Sequence, residues 1–221
     1  MHGMHRLRAA GLAAVAVTAS AFMPQTASTA TTAWWHMNET SGTTMHDAVG
    51  SADGILHNVA VNRPGIWGSR AYGFNGWSSY VSVPHRAALN PGPAKLTLRI
   101  SVRFSALPAE DYDLIRKGRS GTPGGHYKVE IARSGQALCK FRGSQGNAIV
   151  IGGPKLNNGR WHRISCVRAQ RSATLYIDGE RRRRVWRRVG SIANSSTLFI
   201  GAKPGSDWHK GRLDEARIII E

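Results

Sequence analysis

The densest chemistry in the sequence is the run Arg181-Arg182-Arg183-Arg184-Val185-Trp186-Arg187-Arg188, six arginines in eight positions with one indole among them. Guanidinium groups bind phosphate and carboxylate oxygens in bidentate fashion, and an aromatic ring set between them can stack on a sugar, a base or another guanidinium. The run therefore reads as an anion-binding strip, the plainer alternative being a solvated strand kept blunt by its charge. A second chemistry is that of aromatic faces laid against the apolar C–H faces of sugar rings, with polar neighbours for the hydroxyls. Trp77 follows the Asn75-Gly76 turn and precedes Ser78, Ser79 and Tyr80, which makes Trp77 with Tyr80 the best-placed platform. Trp34, Trp35 and Trp161 fall in strand-like runs and are assigned to packing, Trp208 to a plug beneath the last strand.

Catalytic patterns do not emerge. A glycoside hydrolase sets two carboxyl groups across one cleft, and no strand here carries carboxylates at period two. Glu110-Asp111-Tyr112-Asp113 reads as a solvated loop before Leu114, and Asp214-Glu215, being adjacent, should point to opposite faces of a strand. There is no GxSxG elbow for a serine nucleophile and no HxxxH pair for a metal.

The elements that must position these residues are strands. Gly159–Gly179 contains two strand-like runs, Trp161–Arg168 and Thr174–Ile177, closed by an Asp178-Gly179 turn. Apolar or sulfur-bearing residues on both faces of the first run (Trp161, Ile164, Cys166, Val167) suit a strand covered on both sides. Leu96–Phe104 alternates strictly, Leu96, Leu98, Ile100, Val102 and Phe104 against Thr97, Arg99, Ser101 and Arg103. Tyr72 and Phe74 alternate into Asn75-Gly76, and Val81 and Val83 alternate out, which predicts a second hairpin. Similar short runs recur to Leu213–Ile220 with Gly, Pro, Asn or Ser between them, and no 3.6-residue repeat is sustained. The chain is predicted to be all-β, two packed sheets.

The formal charge is +17. It falls by two, to +15, if the segment bearing Arg6 and Arg8 is removed, and such a surplus attracts polyanions in a salt-dependent way. That segment has the order of a secretory signal: a basic start, an apolar run over Ala9–Met23, then small residues with cleavage near Ala27 or Ala30. The apolar run is shorter than the ~20 residues that span a bilayer, so residues 1–30 read as a removable signal, with no transmembrane segment after them. Residues 31–221 read as one secreted, extracellular domain. In an oxidising compartment the two cysteines, Cys139 and Cys166, are expected to pair, two buried thiols being the alternative.

Six stretches in order carry a resemblance: WHMNETSGTTMHDAVG, YGFNGWSSYVSVP, DYDLIRKG before GGHYKVEI, GRWHRISCVR, TLYIDG and GRLDEARIII. Together, from Trp34 to Ile220, they resemble the laminin-G-like, concanavalin A-like jelly-roll domains of secreted bacterial proteins. The resemblance implies a two-sheet jelly roll with adjacent N- and C-terminal strands, and a binding or adhesion role toward glycans or other surface ligands. It also brings Asp47 and Asp214 forward as ligands of one structural calcium, an ion that prefers carboxylate and carbonyl oxygens. Loop capping by Asp47 and a strand-end role for Asp214 are the alternative, and no cofactor is otherwise required. The sequence thus points to a secreted, non-catalytic module for a glycan or an anionic cell-surface or matrix polymer, meeting nucleic acid only non-specifically. A polyanion- or protein-binding adhesion module acting through Arg181–Arg188 is the alternative, and a polysaccharide hydrolase the third reading.

Overall fold

The computed structural model describes Met1 and residues 31–221, so all of the expected signal segment but Met1 lies outside the described residues. In chain order the strands are β1 (Thr31–Trp35), β2 (Thr44–Met45), β3 (Gly54–His57), β4 (Ala60–Pro64), β5 (Arg70–Asn75) and β6 (Tyr80–Val83). There follow β7 (Leu96–Arg103), β8 (Tyr112–Lys117), β9 (His126–Ile131), β10 (Ala137–Gly143) and β11 (Gly146–Gly152). The last are β12 (His162–Arg168), β13 (Ser172–Ile177), β14 (Glu180–Trp186), β15 (Leu198–Ile200) and β16 (Lys210–Ile220).

They form two antiparallel sheets. Sheet I runs β14-β13-β12-β7-β16-β5-β4, with β1 also on β16; sheet II runs β11-β10-β9-β8-β15-β6-β3-β2. The chain is a jelly-roll sandwich, and its first and last strands pair as the resemblance implies. The alternation read in β7 holds. Leu96, Leu98, Ile100 and Val102 are buried between the sheets with Trp35, Tyr72, Tyr127 and Phe141, while Arg99 and Arg103 are exposed on the other face. Burial of this kind, at about 25 cal/mol per Å2 of apolar surface, is the main drive for closing one sheet on the other.

The hairpin of β12 and β13 forms, and Asp178 and Gly179, in the turn from β13 to β14, take the positive φ angles, 54° and 86°, that a tight two-residue turn needs. β12 lies between β7 and β13, so it is interior, but it is not covered on both sides. Ile164 and Cys166 enter the core, whereas Arg163, Ser165 and Val167 lie on an open face. The second expected hairpin is absent. β5 belongs to sheet I and β6 to sheet II, so the Asn75-Gly76 segment is a corner between sheets. Its conformation is held by the Asn75 Oδ1, which accepts the backbone N–H groups of Trp77, Ser78 and Ser79 at 3.0, 2.9 and 3.2 Å. Such a side-chain cap closes a loop locally without requiring the flanking strands to pair.

The acidic cluster is also not a solvated loop throughout. Tyr112 and Asp113 are in β8, and Asp113 is fully buried beside Arg116.

Cys139 of β10 and Cys166 of β12 are bonded, joining sheet II to sheet I through the core. The bond spans 27 positions, and a loop of that size constrains the unfolded chain by about 3–4 kcal/mol. Replacing both cysteines with alanine should lower the unfolding free energy by about that amount, measured by denaturant titration under non-reducing conditions. An unchanged midpoint would show that the bond adds nothing to sheet pairing.

Candidate functional site

The open face of sheet I carries a continuous row of side chains set by strand register. Trp34 of β1 pairs with Arg217 of β16, Arg217 with Arg99 of β7, Arg99 with Ser165 of β12, Ser165 with Tyr176 of β13, and Tyr176 with Arg181 of β14. Six strands at the usual spacing make this row about 24 Å long. A trough of about 580 Å3 lies over its middle, bounded by Trp67 and Arg163 and floored with Thr97, Ser101 and Ser165. Arg99 and Arg217 stand directly opposite one another, an arrangement that costs stability unless an anion lies nearby.

The anion nearest at hand is Glu215. It accepts hydrogen bonds from Trp34 Nε1 (2.7 Å), His36 Nδ1 (2.9 Å) and Arg217 Nη2 (3.1 Å). The Arg217 guanidinium also lies 3.3 Å from the centre of the Trp34 ring. Burial raises the carboxyl pKa, but the bonds from His36, Arg217 and Trp34 outweigh it and hold Glu215 below the usual glutamate range. A carboxylate so held does not carry a proton to deliver as a general acid.

A bulge in β16 between Asp214 and Arg217 makes this arrangement possible. Leu213 and Ala216, three apart, both enter the core, and Glu215 takes φ 52°. The simple alternation that would send Asp214 and Glu215 to opposite faces is therefore broken, and neither takes a place in the apolar core between the sheets. Asp214 Oδ2 accepts from the Ile66 N–H (2.9 Å) and Ser69 Oγ (3.0 Å), pinning the 3-10 turn of Ile66–Gly68. That turn holds Trp67 at φ 55° with 72% of its surface exposed, and Arg163 stacks on its ring at 5.4 Å. Trp67 went unnoticed in the sequence because nothing near it alternates. The signal that could have found it is its place in GIWGS, a turn-forming context.

The arginine run is the edge strand β14, and register divides it. Arg181 and Arg184 continue the outer face, Arg184 Nε donating to Thr174 Oγ1 at 3.0 Å, and Arg182 pairs with Glu180 at 2.8 Å. Arg183 and Arg182 lie over the end of β11, where added Cβ atoms on Gly152 and Gly153 would meet their side chains at 3.5 and 3.2 Å. Trp186 is exposed beneath the Arg184 guanidinium, at 5.4 Å. Arg187 and Arg188 follow the strand, both exposed.

The other expected residues lie elsewhere. Trp77 is exposed on the corner between sheets. Tyr80 is on β6 of sheet II, stacked on His57 at 4.2 Å with Trp208 and Phe199 nearby. Neither lines the trough.

The laminin-G-type model of the concanavalin A-like lectin/glucanases superfamily matches residues 74–219, well over half of the chain. The chain belongs to this superfamily. No curated protein sequence matches it. Among solved structures, it is similar to the binding domain of Paraclostridial Mosquitocidal Protein 1 (14% identity, TM-score 0.65) and the binding domain of botulinum neurotoxin serotype D (11%, 0.65). Those matches cover 86% of this chain and 48% and 47% of the other two, so the chain spans about half their length. It is also similar to domain 4 of AbnA, a GH43 extracellular arabinanase of Geobacillus stearothermophilus in complex with arabinotriose, at 16% identity and a TM-score of 0.61 over 86% of this chain and 92% of that one.

A calcium ion held by Asp47 and Asp214, as the resemblance implied, fits poorly with the hydrogen bonds these carboxylates make. Asp47 Oδ1 accepts the N–H groups of Trp34 (3.0 Å) and Val49 (3.2 Å), and Oδ2 that of Ala52 (3.0 Å). Asp214 Oδ2 is held by the Trp67 turn, and its Oδ1 is buried without a hydrogen-bond partner. N–H hydrogens directed at both oxygens of Asp47 take up the sectors a cation would need. Asp47 thus caps its loop, and neither residue belongs to a group of three or more metal-binding side chains among the described residues. Chelation should leave the melting temperature unchanged; a fall on adding EDTA, reversed by calcium, would reinstate the ion.

Burial raises the Asp214 pKa to about 6. A carboxyl with a raised folded-state pKa favours folding fully below its unfolded value, and this contribution is lost as pH rises toward 6. The melting temperature of Asp214→Asn relative to the unsubstituted chain should therefore climb between pH 4 and pH 7. A difference that stays flat would mean that Asp214 is ionised in the fold throughout.

Proposed function

We propose that the chain is a non-catalytic binding module that acts outside the cell, and that the sheet I trough takes an acidic glycan or a similar anionic polymer. The observation that carries this reading is the row from Trp34 through Arg217, Arg99, Ser165 and Tyr176 to Arg181. The Trp67 and Tyr176 rings in the trough, the hydroxyls on its floor and the cations among its lining residues suit a chain of rings bearing carboxylate, sulfate or phosphate groups. The arginines Arg181 and Arg184 extend the same face to the sheet edge, which joins the two sequence-based alternatives into one surface. Likeness to a domain held in complex with arabinotriose supports a saccharide as the body of the ligand.

Hydrolysis is the weaker reading. The trough is lined by one carboxylate, Glu215, already held by three donors. Asp113, Glu130 and Asp207 gather on sheet II, with ligand atoms within 4.8 Å of one another, but Arg116, Lys128 and Lys203 offset their charges.

An array of uronate, sulfated, phosphorylated and neutral polysaccharides, read at two salt concentrations, tests the proposal. Arg99→Gln with Arg181→Gln should weaken binding to the acidic members by at least about tenfold and flatten its salt dependence, each charge-assisted contact being worth roughly 1.5–3 kcal/mol. Trp67→Ala should weaken it as well, and Trp77→Ala should not. Binding lost only in Trp77→Ala, or sugar released from any bound polymer, would overturn the reading.

A further inference from the structure

The exposed side of sheet II carries a second charged row, separate from the trough of sheet I. Register sets Phe199 of β15 beside Arg116 of β8, Arg116 beside Lys128 of β9, and Lys128 beside Lys140 of β10. Three cations thus face one another on three adjacent strands, which is unfavourable unless anions lie among them. Arg116 bonds to Asp113 and lies 3.6 Å from Glu130 and 3.7 Å from Asp207; Lys128 pairs with Glu130, and Lys203 with Asp207 at 2.8 Å. Three carboxylates are in this way matched by three cations. Lys140 stands outside this balance, with no carboxylate partner among the described residues. Arg119, at the rim, uses its guanidinium on the Pro204 carbonyl at 3.3 Å.

The next cross-strand pair is His126 with Arg142. His126 is only 2% exposed, and its buried Nδ1 has no hydrogen-bond partner. It lines a cavity of about 500 Å3 together with Arg116, Arg119, Lys128 and Lys140. Burial first, then the charges of Lys140, Lys128, Arg116 and Arg142, push its pKa down to about 4. The four charges that shift the ring are positive and the cations lining the cavity outnumber its carboxylates, so it is a net cationic place with an unused hydrogen-bonding nitrogen. Glu110 and Asp111 also line the cavity. Carboxylates there disfavour a long polyanion while leaving room for a compact group.

We propose that this cavity is a second ligand site, taking a tetrahedral oxyanion, a phosphate or sulfate group, between Lys140, Arg119 and the His126 imidazole. Donors that converge from two strands and a loop suit a tetrahedral group better than a planar carboxylate, which a single guanidinium fork already satisfies. The site stands whether or not the sheet I trough binds a polymer, since the two share no residue.

The test is to follow the His126 imidazole resonances by NMR in the full chain. Inorganic phosphate, inorganic sulfate and glucose 6-phosphate are titrated in, with chloride and acetate at matched ionic strength as controls. The oxyanions should shift His126 saturably and raise its pKa above about 4, whereas chloride and acetate should not. Tighter binding of glucose 6-phosphate would assign the group to a saccharide and equal binding to the free anion; either order supports the site. Lys140→Gln should weaken the response by about tenfold, the loss of one charge-assisted contact, while its polymer binding on the array stays at the level of the unsubstituted chain. Arg119→Gln, on an exposed loop, provides the same readout should Lys140→Gln fold poorly. Equal shifts with chloride, or both variants responding like the unsubstituted chain, would overturn the proposal.

Discussion

The register break in β16 is the constraint from which most of the surface follows. This strand pairs with β7 along one side and with β5 and then β1 along the other, so it ties three strands of sheet I together. One extra residue between Asp214 and Arg217 lets Leu213 and Ala216 both reach the core. The polar side chains between them cannot follow and must find partners outside the core. Asp214 finds the turn that carries Trp67, and Glu215 finds Trp34, His36 and Arg217. A single bulge thereby converts the last strand from core packing alone into the support of a binding face.

The two sheets handle positive charge differently. On sheet I, Arg99 and Arg217 oppose each other with only Glu215 at hand, and the arginines of β14 lie at an edge where water screens them. On sheet II, Arg116 and Lys128 are nearly buried and could not be left unpaired, because desolvating a charge costs several kcal/mol. Three carboxylates are accordingly drawn in among them, including Asp113. Sheet I thus presents accessible charge over a long trough, and sheet II a compact, largely neutralised network with a cationic remainder. The charged edge has a further effect, since β14 would otherwise offer unpaired backbone groups to another strand.

What the sequence by itself determined was local and periodic. The alternation of Leu96–Phe104 fixes which side of that strand enters the core, because a one-residue slip would bury its arginines and expose its leucines. The Asp178-Gly179 turn, with its two positive φ angles, was equally legible from the local Asp-Gly pair. The pairing of two lone cysteines also followed, since they had no other partner of their kind. The arginine run was legible as a charged, exposed strip, but not its division between two sides of an edge strand.

Only the tertiary structure decided which strands become neighbours, and with that the site. Asn75-Gly76 has the composition of a hairpin turn, yet β5 and β6 part into different sheets, because strand pairing depends on long-range burial that no local window contains. Asp113 sits in an acidic run that looks solvated, yet it is buried beside cations from β8 itself and β9. Trp34, Trp67, Arg99 and Arg217 are far apart along the chain, and each alone reads as packing or surface. Cross-strand register brings Trp34, Arg217 and Arg99 into one row, and the Asp214 bonds set Trp67 beside it. This is the physical reason that the site could not be read from residue types and spacing alone.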